Sequence, residues 1–142
     1  QVFADGAVQL DKVVTNGEIT LETEANKVTI GLGYESILSP MPIEIEMQNG
    51  KSVLRRKAIS EVRVKVYGSI GGEIRSGDDV FQEMISRNVL EDSLDTAIRE
   101  KTETLQFHTA SGYKESAIVE VRQRKPLPLN ISMMTMIYNV VE

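Results

Sequence analysis

The sequence predicts a mainly β domain, either an antiparallel sandwich-like fold or an open barrel, with at most one short helix. Three observations point there. Apolar residues recur at every second position in several segments, most cleanly as Ile43, Ile45 and Met47 against Glu44, Glu46 and Gln48, the period of a strand with one wet face. Asn16-Gly17 supplies the positive φ angles of a tight hairpin turn, and Asn49-Gly50 ends the alternation of Ile43 to Met47. Pro40, Pro42, Pro126 and Pro128 impose extended connections, because proline locks φ and has no amide donor.

Taken in order, Val8 and Leu10 alternate, and Val13-Val14, Asn16-Gly17, Ile19 and Leu21 predict an N-terminal hairpin turning at Asn16-Gly17. Glu22 to Asn26 is a polar connection. In the stretch Val28 to Pro42, the residues Val28, Ile30 and Leu32 alternate with Thr29, Gly31 and Gly33. That predicts a strand with its apolar side in a core and its glycine side crossed or kinked. The half-buried strand at Ile43 to Met47 follows. Lys51 to Ser60 is ambiguous, because Arg55, Arg56 and Lys57 interrupt the pattern before Ile59 resumes it.

Val62, Val64 and Val66 against Arg63 and Lys65 form a β-branched strand, and Gly68 to Gly72 forms a turn. Between Asp78 and Glu100 the spacing changes to three and four, with helical period the better reading for Leu90 to Glu100. Leu105 and Phe107 suggest a short strand, Ser111-Gly112 a turn, and Val119 and Val121 a further strand. The last strand, Leu129 to Val140, is apolar on both faces: Leu129, Ile131, Met133 and Ile137 on one, Met134, Met136, Tyr138 and Val140 on the other. Such a strand lies centrally or meets another subunit, which makes Met134, Met136 and Tyr138 candidate interface residues.

The 142-residue length predicts a single β-rich domain spanning residues 1–142. The first residue is Gln1, with neither a basic nor an apolar leader behind it, so the chain is expected to be a fragment of a longer protein. No apolar run approaches the length of a membrane span. Cysteine is absent, which removes disulfides, thiolate metal sites and cysteine nucleophiles. A net charge of -5 argues against nucleic-acid binding as the domain's function. The clusters Arg55 to Lys57 and Arg122 to Lys125 read as solvated strand ends or as local phosphate contacts.

No motif carries chemistry. Gly31-Leu32-Gly33 begins a nucleotide-loop pattern, but prolines follow where the required helix should start. His108 is the sole histidine, too few for a multi-histidine metal centre, and no Gly-x-Ser-x-Gly elbow accompanies it. Asp78-Asp79 and Glu91-Asp92 with Asp95 lack the spacing of a calcium loop and read as caps. No catalytic, cofactor-binding or metal residue is expected.

One resemblance rests on the order of segments. The strand VTIGLGYES (Val28 to Ser36), the link SPMP, the basic segment KAISEVRVKVYGS (Lys57 to Ser69), a Thr-Ala-Ser-Gly turn and the closing VRQRKPLPLNI (Val121 to Ile131) resemble the tail nozzle, or tail tubular protein B, family of short-tailed bacteriophages. The resemblance runs from about Ala4 to the C-terminus, with Gly33 where family members often carry proline. It implies a non-enzymatic structural protein of the virion tail, folded in the bacterial host cytoplasm. It also implies partnership with other copies in a ring and with other phage tail proteins, with DNA passing through the lumen as a transient contact and no membrane. The family often has an irregular insertion where Leu90 to Glu100 shows helical period. The alternatives are a carbohydrate- or receptor-binding sandwich module, although tryptophan is absent, and a carboxylate-pair hydrolase.

Overall fold

A computed structural model of the chain describes residues 1–42, 44, 46–47, 50–51, 55–86, 97–109 and 112–140. The fold is mainly β, antiparallel and sandwich-like, and no helix occurs among the described residues. The described residues contain twelve strands: β1 Val2–Ala4, β2 Ala7–Gln9, β3 Val28–Ile30, β4 Ser36–Leu38, β5 Glu46–Met47, β6 Gly50–Lys51, β7 Lys57–Val66, β8 Glu73–Ser76, β9 Gln82–Glu83, β10 Thr104–His108, β11 Val119–Gln123 and β12 Ile131–Val140. They form sheets of order β2-β1-β3, β10-β7-β12 and β4-β11-β8-β9, with β5-β6 a separate two-stranded pair.

The sandwich is built on β7. Its Ile59, Val62, Val64 and Val66 are buried against Ile74 of β8 and Val119 and Val121 of β11, with Met84, Ile85 and Ala117 completing the core. Each such side chain, fully withdrawn from water, contributes about 1.5–3 kcal/mol before the entropy of ordering it. Leu105 and Phe107 of β10 and Ile131, Met134, Met136 and Tyr138 of β12 close the core from the flanks.

The ambiguity at Lys51 to Ser60 has a local cause. Lys57, Ile59, Val62, Val64 and Val66 are all buried, although strict alternation would send Lys57 and Ile59 to the face opposite the valines. A bulge restores them. Ile137 pairs with Glu61 and Tyr138 with Ile59, so Ser60 is the extra residue that reverses the parity. Ser60 then bonds outside the ladder, its hydroxyl donating to the Ile137 carbonyl at 3.1 Å and its carbonyl accepting from the Thr109 amide at 3.2 Å.

A second bulge corrects the faces expected for the last strand. Ile131 pairs with Val66 and Met133 with Lys65, leaving Ser132 over. Ile131 therefore shares the inner face with Met134, Met136 and Tyr138, while Met133 and Ile137 point outward, 52% and 45% exposed. The strand is not central either, because the order β10-β7-β12 places it at an edge and β7 in the middle.

The N-terminal region departs further from expectation. Asn16 and Gly17 adopt φ of 53° and 83°, the mirror-image turn that Asn-Gly favours. Thr15 and Glu18 exchange both backbone hydrogen bonds across it at 3.0 Å. The flanking residues add no further pairs, so a turn forms there without a hairpin of strands. The hairpin lies instead at β1 and β2, turned by Asp5-Gly6 with φ of 45° and 87°. The Asp5 carboxylate accepts from the amides of Asn26 and Lys27 at 2.8 and 2.7 Å, which anchors β3 beside β1.

Val28 and Ile30 share the face of their partners Ala4 and Val2. Yet β3 is an edge strand, and Val28, Ile30 and Leu32 are exposed. The expected core side of this strand is therefore wet. Gly33 does meet a close neighbour, since a Cβ there would lie 2.7 Å from the Gln1 side chain.

Of the strand expected at Ile43 to Met47, Glu46 and Met47 form β5, paired with β6, and Ile43 and Ile45 lie outside the described residues. The helix expected at Leu90 to Glu100 falls outside them over residues 90–96, and Ala97 to Glu100 is irregular.

Candidate assembly surfaces

The outer face of the four-stranded sheet carries an ion-pair lattice. Glu73 and Arg75 on β8 stand beside Arg122 and Glu120 on β11, as the register dictates. The Arg75 Nε donates to Glu120 at 2.6 Å, Arg122 bonds to Glu73, and Arg124 donates to the same Glu73 carboxylate at 2.7 Å. Phe81 lies under both guanidinium groups, with its ring centre 3.6 Å from Arg122 and 4.4 Å from Arg75, a cation–π arrangement worth about 0.5–1 kcal/mol each at such sites. Burial alone would raise the Glu73 pKa, but hydrogen bonds from Arg124 and Arg122 together outweigh it and hold the carboxyl below its usual range. The same bond to Glu73 raises Arg124.

These pairings settle where the basic clusters sit. Arg122 and Arg124 share Glu73, and Lys125 pairs with Glu83 at 3.3 Å. Lys57 is almost wholly buried, with its Nζ 3.2 Å from the Glu44 carboxylate, and its backbone pairs with Lys114. A lysine buried alone would cost several kcal/mol. Positive charge in the Arg122 to Lys125 cluster, and that of Lys57, is therefore engaged within the chain rather than arrayed toward a phosphate backbone, while Arg56 is exposed.

The acidic residues are not brought together. Asp78 bonds to Lys114 at 2.5 Å, which lowers its pKa, and Asp79 closes a turn on Ser76. Glu91, Asp92 and Asp95 lie outside the described residues. Among the described residues, no three His, Cys, Asp or Glu side chains form a cluster that could hold a metal ion. His108 is exposed on β10 opposite Glu61. A groove of about 1070 Å³ between the N-terminal sheet and the end of the sandwich mixes Ala4, Val8, Leu10 and Leu127 with Asp11, Glu22 and Glu24.

What the surface does concentrate is apolar area. Leu10, Val13, Leu32, Tyr34 and Met41 are exposed on the extended N-terminal region, Leu32 at 95% and Met41 at 88%, and Ile37 and Leu38 are exposed on β4, where that region joins the edge of the four-stranded sheet. Scattered exposed apolar residues are ordinary; a succession of this length on one arm of the chain is the pattern of a docking region. Sequence reasoning missed it because Val28, Ile30 and Leu32 alternate as core residues do. The candidates Met134, Met136 and Tyr138 are half-buried on the inner face of β12 and packed on the chain's own core. The outward apolar side chains of that strand are Met133 and Ile137.

No protein-family model matches the chain, and no curated protein matches it. Among the described residues, no helix is long and apolar enough to cross a membrane.

Proposed function

We propose that this chain is a structural domain of a phage virion tail, of the nozzle or tail-tube kind, which assembles with copies of itself and with other tail proteins into a ring through which DNA is ejected. The observation that carries the reading is the exposed apolar arm of residues 8–41, which is left wet in one chain and would be covered by a neighbour in a ring. The segment resemblance supplies the kind of assembly. Charge is consistent with it: a net -5 chain in which Arg122 and Arg124 are paired with Glu73 lets a polyanion pass without holding it. The chain performs no catalysis in this reading.

The test is the full-length parent polypeptide. Light scattering and electron microscopy should show a closed ring that associates with virions. A parent that stays monomeric and never joins particles overturns the proposal. The second reading, a carbohydrate- or receptor-binding module, draws on Tyr34 and Tyr67, exposed at 79% and 67%, because sugar faces stack on exposed aromatics. Saturable binding on a glycan array, lost on Tyr34→Ala or Tyr67→Ala, would favour it.

A further inference from the structure

Among the described strands, β12 is a long edge whose only protection is a bulge at its start and Pro128 ahead of it. Proteins blunt exposed strand edges by keeping them short or by placing charge, proline or a bulge on them. Among the described edges, β4 has three residues preceded by Glu35, β9 has two including Glu83, and β10 has five preceded by Lys101 and Glu103. β12 runs for ten residues, and no charged residue occurs between Lys125 and Glu142. Its one bulge is at its start, at Ser132, and beyond Met133 it follows β7 without interruption as far as Ile137. None of the described strands pairs with its outer side.

The sequence of that edge is self-complementary about one residue. Met133 and Ile137, the two outward apolar side chains, stand two positions either side of Thr135. We propose that two copies of the chain pair through β12, antiparallel and two-fold symmetric about Thr135. In that register Met133 faces the partner's Ile137, Ile137 faces the partner's Met133, and Thr135 faces the partner's Thr135. Directly opposed residues in an antiparallel pair share a face, so each exposed apolar side chain covers the other. On the inner face Met134 meets the partner's Met136, extending the core across the junction. No like charges oppose each other, which is what normally forbids strand self-pairing. A slip of one residue would set outward side chains against inward ones, and a slip centred on Met136 would oppose Met133 to the partner's Asn139, leaving the apolar match unmade. The inference stands apart from the tail reading, since it uses β12 rather than the N-terminal arm and concerns the 142-residue chain as it is.

A single strand pair lies at the small end of interfaces, below about 1,200 Å², so association on the order of micromolar is expected. The absence of native cysteine makes cross-linking free of background. Opposed residues fall within the Cα separation a disulfide needs, roughly 4.4–6.8 Å. Thr135→Cys should therefore give a covalent dimer under mild oxidation. Met133→Cys and Ile137→Cys should cross-link when mixed far more than either does alone, while Thr104→Cys on the far edge should not cross-link to itself. Thr135→Lys, which sets two ammonium groups face to face at an exposed position, should weaken association at least tenfold in sedimentation velocity with circular dichroism unchanged. The proposal is overturned if folded Thr135→Cys stays monomeric after oxidation, or if Thr135→Cys couples to Thr104→Cys in preference to itself, which would mean head-to-tail pairing.

Discussion

Two parts of the chain carry the same alternating code and meet opposite fates. In the sandwich, Val62, Val64 and Val66 of β7 are wholly buried, whereas Val28, Ile30 and Leu32 in and beyond β3 stand in water. Periodicity is equal in the two; the number of neighbours is not. β7 is flanked by β10 and β12 and faced by β8 and β11, while β3 has one strand beside it in a three-stranded sheet that buries little more than Val2 and Ala4. Alternation thus reports which side of a strand is meant to be covered. It does not report whether the same chain supplies the cover.

The contrast breaks most visibly in the core. Val64→Asp should prevent folding, because it places an unpaired carboxylate where no water reaches, and Ile59→Ala should cost about 2–5 kcal/mol in urea unfolding. Val64→Asp that melted like the native chain would mean that the sandwich does not hold the fold. Leu32→Ser and Met41→Ser in the arm should each change stability by no more than about 0.5 kcal/mol while improving solubility. A large loss at either position would mean that the arm packs on its own domain.

An effect between those of the core and the arm is expected at the hairpin that founds the N-terminal sheet. Gly6 has φ of +87°, and a Cβ there would approach the Ala97 Cβ to 2.9 Å. Gly6→Ala should therefore cost more than the roughly 1–2 kcal/mol of a left-handed alanine, read as a drop in melting temperature. Gly17→Ala, at φ +83° but in open space, should cost the backbone penalty alone. Equal losses at the two positions would argue against close contact between the hairpin and residue 97.

Acid should act on both regions. The Asp5 carboxyl is held below its usual 3.8 by the amides of Asn26 and Lys27, and Glu73 below its usual 4.5 by its two arginines despite burial. A carboxylate whose folded pKa is depressed stabilises the fold fully above its unfolded value, and that stability is lost as pH falls through the folded one. Melting temperature should therefore decline as pH drops below about 4.5, and the part due to these two carboxyls should level off once pH lies below their lowered values. Glu73→Gln should flatten part of that decline, and a slope unchanged by it would remove Glu73 as a source.

Much of the sandwich was legible in the sequence because its strands obey local rules: β7, β10, β11 and β12 all announce themselves by alternation or β-branching. What was hidden depended on single extra residues or on distant partners. Ser60 and Ser132 reverse strand parity without any compositional mark, so the inner face of β12 could not be read from spacing. β8 shows one buried apolar residue, Ile74, between Glu73 and Arg75, too little to register as a period. Asp5-Gly6 was as strong a turn signal as Asn16-Gly17, but the strands beside it are three residues each. The candidate surface was concealed most completely, since exposure is a property of what is missing beside a strand.

Hydrogen–deuterium exchange on the isolated chain and on the assembled full-length parent tests the central claim most directly. In the isolated chain, amides of β7 and β11 should be protected and those of residues 8–41 should exchange quickly, apart from the few bonded in β2, β3 and β4 and at the Thr15–Glu18 turn. In the assembly, the arm should become protected while the sandwich core changes little. An arm that is already protected in the isolated chain, or that still exchanges freely in the assembly, would contradict the account.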